Sequence, residues 1–168
     1  MPAVANPFFA FFGLPTHVLV VHAVVVLTPL AVVMVWAYLA RPGWRTVLAW
    51  PTAVMSVLAG GSAFVAASSG EELEGRLSAL GSVPASLHEH TEAGDLARLV
   101  IVVFMVIVLA TIFWALPARS ARVRSAALRT GAIVVAALAG LAAVVVTVQA
   151  GHTGAAVAWG PIMSQLGH

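Results

Sequence analysis

Four long apolar stretches constrain what this chain can fold into more than any other feature. They cover residues 18–40, 46–69, 99–116 and 130–151. Each is close to or above the roughly 20 apolar residues that an α-helix needs to cross a bilayer. The first carries no formal charge, although it holds His22. All four are continuously apolar and do not alternate, which argues against a membrane β-barrel. Composition agrees: 61% of the 168 residues are hydrophobic and 8% are charged, against about 25% charged in a soluble domain. So small a polar complement cannot cover a water-facing surface. The expected fold is all-α, a polytopic membrane four-helix bundle forming a single domain over 1–168. With flanking turns, the helices are expected at 16–40, 46–69, 87–116 and 127–151.

Before the first helix, Phe8, Phe9, Phe11 and Phe12 crowd into residues 6–14. Such a segment suits the membrane interface. No basic stretch precedes a short apolar core here, so no cleaved signal peptide is expected. The chain has no cysteine, which excludes disulfides and thiolate metal sites. It has no lysine either, and all eight basic residues are arginines. The basic pI of about 10.5 reflects those arginines, and their placement is better explained by topology than by nucleic acid.

Arg41 and Arg45 fall between the first two helices, and Arg119, Arg122, Arg124 and Arg129 between the last two. All six acidic residues, Glu71, Glu72, Glu74, Glu89, Glu92 and Asp95, lie between helices two and three or at the approach to helix three, with Arg76 and Arg98. The positive-inside rule makes the arginine-rich side cytoplasmic. Both termini and a loop over 70–86 are then extracytoplasmic, in a multi-pass protein of the inner (plasma) membrane. His17, His22, His88, His90, His152 and His168 all fall at or near that outer side. Trp36, Trp44, Trp50, Trp114 and Trp159 stand near expected span ends, where interface anchoring accounts for them.

Helical spacing sorts these residues by face. From a start near Ser86, His88, Glu92 and Asp95 share one polar face, while His90, Gly94, Ala97, Ile101 and Met105 share another. His90 is therefore expected to point into the bundle and His88 outward. Ala53, Ser56, Gly60, Ala63 and Ala67 form a small-residue stripe in helix two, and Ala136, Gly140, Ala143, Thr147 and Gly151 form one in helix four. Such stripes let helices approach closely in lipid. His17 and His22 are five residues apart and diverge by about 140° around a helix, so they do not readily share one ion. Pro29 is expected to kink helix one.

Three histidines on three segments are candidates to meet: His22, His90 and His152, with His17 as a fourth. Neutral imidazole suits haem iron, copper or zinc. Two histidines on facing helices can hold haem b axially, and Gly94, one turn below His90, leaves room for a flat macrocycle. Three histidines can instead hold a Cu or Zn ion with Glu92 nearby. A proton-handling cluster without metal is a third possibility. The plain alternative is that each histidine is an interfacial or hydrogen-bonded side chain. Glu71, Glu72 and Glu74 read as a solvated face, and no nucleophile-and-base motif is present, so an enzymatic activity is left open.

The residues Leu14-Pro-Thr-His17 with His22, then His90 with Gly94, then Gly151-His152-Thr-Gly-Ala155 with Trp159-Gly160 resemble an uncharacterised bacterial family of four-helix membrane proteins. Members tend to open helix one with two histidines five apart, often in His-Pro-x-x-x-His-Phe-Pro, and to close with a Gly-His-Ser-Gly-Ala segment. Here Val18 stands in place of that proline, Ala23-Val24 in place of Phe-Pro, and Thr153 in place of the serine. Some relatives are fused to Rieske-type domains, and the layout also resembles small b-type cytochromes. The resemblance implies membrane redox work involving His17, His22, His90 and His152, with another chain as electron partner. The function expected is thus a haem b or transition-metal protein for electron transfer. The alternative is a non-catalytic accessory subunit of a larger membrane complex. A transporter is disfavoured because the spans carry almost no charge and no inverted repeat is evident. Expected partners are the bilayer and either another membrane redox protein or a second copy of the chain, with no nucleic acid.

Overall fold

In a computed structural model of the chain, residues 10–11, 13–81, 85–118 and 125–167 are described. Most of the expected segment at 6–14, the cluster Arg119, Arg122 and Arg124, and His168 lie outside them. The described chain opens with a two-residue antiparallel pair, β1 (Ala10–Phe11) with β2 (Leu14–Pro15). Gly13 at φ +79° turns between them, a conformation that favours glycine. Four helices follow: α1 (Thr16–Ala40), α2 (Arg45–Ala79), α3 (Ala85–Ala110) and α4 (Ala126–Gln165). All four are long and apolar enough to cross a membrane. A 3-10 turn, Pro42–Trp44, joins α1 to α2, and a π-turn, Thr111–Ala115, ends the third helix with Leu116 N bonded back to Thr111 O. The helix persists through Pro29, which removes one backbone donor without breaking α1.

Two helices are longer than the sequence reading has them. The segment expected as the loop 70–86 is helical as far as Ala79. Its Glu, Leu and Arg residues are good helix formers, and Glu72 pairs with Arg76 one turn on at 2.8 Å. The helix stops where Gly81, at φ +87°, bonds back to Ser78 O, a left-handed glycine ending. Likewise α4 does not end at 151. Ser125 caps its start by accepting from Leu128 N, and the helix runs on through Gly151, Gly154 and Gly160. Isolated glycines lower helix propensity without forbidding a helix, and the Ala-Ala-Val-Ala run at 155–158 favours one.

The core is built from small residues on α2 and α4 meeting larger ones on α1 and α3. Val32 and Val35 of α1 and Ile101, Phe104 and Val108 of α3 are buried, as are Ala59, Ala136 and Ala143. Gly60 lets Met105 in: a β-carbon there would sit 2.7 Å from its Sδ. Gly140 does the same for Val32 and Trp36, at 3.2 and 3.3 Å. Two buried hydroxyls return to their own helix, Ser56 to Thr52 O and Thr147 to Ala143 O, while the buried Thr28 and Thr52 hydroxyls find no partner among the described residues. Meanwhile Val26, Val33, Phe64, Val106 and Leu138 face outward. A surface so apolar suits lipid better than water.

Candidate functional site

The helices alternate in direction, so the start of α1, the end of α2, the start of α3 and the outer part of α4 meet at one end of the bundle. Contacts of His17 with Gly70 and of His90 with Gly154 tie these four segments together. All six acidic residues lie at this end, while Arg41, Arg45 and Arg129 lie at the opposite one.

His17 is the second residue of α1 and reaches across to α2. Its Nδ1–H donates to Ala66 O at 2.8 Å. Gly70, one turn further along, makes space for the ring: a β-carbon there would lie 2.9 Å from Nδ1. His90 reaches from α3 to α4 in a matching way. Thr153 gives its hydroxyl proton to Ala150 O at 3.1 Å, so its oxygen accepts from His90 Nδ1–H at 3.2 Å. Gly154 leaves the room this ring needs, since a β-carbon would lie 2.9 Å from Cε1. The two rings meet edge to face, with centroids 5.8 Å apart and planes at 75°. Each Nδ1 is thus oriented by a hydrogen bond, and in a neutral ring with its proton on Nδ1 the acceptor nitrogen is Nε2. Ligand histidines are held in this way, by a hydrogen bond from the ring nitrogen that does not bind the metal.

The other expected members are arranged differently. His22 is exposed, and its Nδ1–H donates to Val18 O of its own helix at 2.6 Å. It lines the rim of the neighbouring cavity without joining the pair. His152 is exposed and outside the cavity lining. It is two positions from Gly154, about 200° around the helix, so the continuous helix turns it away from His90. The meeting of His22, His90 and His152 is therefore replaced by a meeting of His17 with His90. Glu92 is also exposed and pairs with His88 Nε2 at 3.2 Å on the outer face of α3. The inward His90 and outward His88 follow the face analysis. Gly94 lines the cavity with open space where a β-carbon would be.

Beside the pair lies a cavity of about 620 Å³ bounded by all four helices. This is within the range of small-molecule pockets, roughly 300–1,000 Å³. Its walls are mostly apolar, with Glu71, Glu74, Thr91 and Arg98 along one side. Arg98 binds Glu71 at 2.7 Å and Asp95 at 3.0 Å. Thr91 donates to Glu74 at 2.9 Å. Sequence reasoning missed this network because it treated 70–86 as a loop, and a helical reading of Glu71 and Glu74 would have put them opposite α3. Thr153, Gly70 and Gly154 were equally missed as supports for the rings.

The described residues contain no group of three or more histidines and carboxylates gathered as for a metal ion. Among the described residues, the imidazoles brought together here are those of His17 and His90. Two imidazoles on one ion, each at about 2.0–2.1 Å, put ring centroids roughly 5–6 Å apart. The observed 5.8 Å lies in that range and equally in the roughly 4.5–7 Å range of ordinary edge-to-face ring contacts. Comparison with family models, with characterised proteins and with solved structures finds no match for this chain.

Proposed function

We propose that this chain is a multi-pass protein of the inner membrane whose His17–His90 pair holds a transition metal for electron transfer. The electron-carrying metal is a bare copper ion or the iron of haem b; a zinc ion on the same pair would carry no electrons. One observation carries the proposal: two imidazoles with their Nδ1 atoms tied stand with ring centroids 5.8 Å apart, each ring beside a glycine. Copper or haem iron supplies one-electron chemistry when bound. The protein's own part is to fix both tautomers through Ala66 and Thr153 and to shield the pair among four helices. Among the described residues the pair would offer two ligands, and any others would come from elsewhere.

Membrane insertion is supported by the four apolar helices and the lipid-suited surface. The arginines at one end support a cytoplasmic assignment for it, and with it extracytoplasmic termini. The resemblance to four-helix proteins with Rieske-fused relatives supports redox work. Purified protein, oxidised and reduced, tests the proposal by optical spectroscopy beside elemental analysis. A Soret band identifies haem b, and a stoichiometric metal without that band identifies a bare ion. His17→Ala and His90→Ala are expected to lose the metal, while His152→Ala keeps it. A sample with neither a Soret band nor bound metal overturns the reading. Orientation is testable because the chain has no cysteine: a thiol introduced by Gly81→Cys is expected to react from the outside of intact cells.

The accessory-subunit reading is favoured by a separate observation. The last turns of α4 expose Trp159, Ile162, Met163 and Leu166, as a surface that packs against another chain would. Co-purification of a stable partner after gentle solubilisation, lost on Trp159→Ala, would support that role.

A further inference from the structure

The cavity beside the histidine pair opens sideways. Val18, His22 and Val25 of α1 and Gly151, Ala155 and Ala158 of α4 both line it and are exposed. They form a rim along the seam between these two helices, and Glu71 and Leu77 of α2 and Asp95 of α3, also lining and exposed, mark an opening on the polar side. Nearer the arginine end the same seam is shut, where Val32 and Trp36 close on Gly140 and Trp36 Nε1–H donates to Ala137 O at 3.4 Å. Along α4 the lining runs from Thr147 to Ala158, about 16 Å of helix rise. The opening is thus a long slot in a lateral surface that is otherwise apolar, with a small-residue wall on the α4 side.

The polar groups inside have one chemical character. Thr91 donates to Glu74 and Leu87 O, Thr147 to Ala143 O, and His22 Nδ1–H to Val18 O. The Arg98 guanidinium is turned to Glu71 and Asp95. The uncommitted polar atoms of the lining residues are mainly acceptors, namely histidine ring nitrogens, hydroxyl oxygens and carboxylates, with the remaining N–H groups of Arg98 the exception. An occupant therefore needs hydrogen-bond donors of its own. Six acidic residues at this end disfavour an anionic head group, and Glu71 and Asp95 are already paired with Arg98, which weakens the claim of a cation.

We infer that the slot binds a lipid-soluble hydroquinone, a neutral aromatic diol that enters from the bilayer between α1 and α4. The flat ring lies against the small-residue wall of α4, its hydroxyls donate to the acceptors, and its apolar tail leaves along the rim. The inference rests on the histidine-pair proposal only for what stands beside the ring, and binding itself does not require a metal.

The test uses the full chain in phosphatidylcholine nanodiscs, with empty nanodiscs as the blank. The probe is a tritiated benzohydroquinone with a decyl tail, compared with its dimethyl ether, which keeps the shape and lacks both donors. Saturable binding of one hydroquinone per chain is expected, with the ether weaker by about tenfold or more. Filling the rim by Gly151→Leu or Ala155→Leu is expected to weaken binding by about tenfold with metal content unchanged. Equal binding of the ether, or displacement by equimolar phosphatidylglycerol, overturns the inference without any variant. So does unchanged affinity in both rim variants once circular dichroism shows them helical. Lost metal with retained hydroquinone binding counts against the histidine-pair proposal alone, and retained metal with no binding counts against this one.

Discussion

The two ends of this bundle solve opposite problems with the same small residues. Toward the arginine end, Gly60 and Gly140 admit Met105, Val32 and Trp36, and the helices close. Toward the histidine end, Gly70 and Gly154 admit imidazole rings, and the helices part around a cavity of about 620 Å³. A glycine on a helix face is thus a permission for close approach. What fills the space decides whether the result is a packed core or a site. The closed end has dispersion contacts and shape to gain, whereas the open end seats two imidazole rings beside a cavity.

Four substitutions probe that contrast. Phe104→Ala, at the closed end, removes a fully buried ring and is expected to cost about 3–5 kcal/mol of stability. Reversible unfolding in detergent measures it, and a loss below 1 kcal/mol would mean that the end is not tightly packed. Gly154→Ala, at the open end, pushes against His90 and is expected to weaken metal affinity about 10- to 100-fold while leaving the melting temperature nearly unchanged. A competitive chelator titration reads the affinity; equal damage to stability would erase the distinction between the ends. Thr153→Val removes the acceptor for His90 Nδ1–H and is expected to lower metal affinity about tenfold, with rescue by Thr153→Ser. Glu71→Gln weakens an ion pair in which Arg98 and Glu71 are 30% and 50% exposed, and less than about 1 kcal/mol is expected. A larger loss would show that the network at the cavity holds the open end together.

Much of this was readable from residue order. The inner face of α3, from His90 through Ala97 and Ile101, follows from helical spacing, and so do the small faces of α2 and α4. The same spacing turns His88 outward, and Glu92, expected near a metal ion, lies on that outward face with it. The errors come from places where local and long-range information differ. Gly151 and Gly154 look like the end of a helix, yet α4 continues, because the surrounding alanines favour helix and Gly154 is needed as a seat for His90. Glu71 and Glu74 look like a solvated loop, yet as part of α2 they face Arg98 and Thr91. His152 drops out because two residues of helix turn it away, and no periodicity within α4 alone says which residue faces α3.

The chain by itself determines four apolar helices, the gathering of acids and histidines at one end, and the inward side of α3. These depend on hydropathy and on a fixed helical repeat, which are local properties. Only the tertiary structure decides that His17, rather than His22 or His152, meets His90. That choice depends on how far α1 slides along α2 and how α4 rotates against α3. Both are set where a ring fits over Gly70 and over Gly154, contacts between residues 53 and 64 positions apart in the chain.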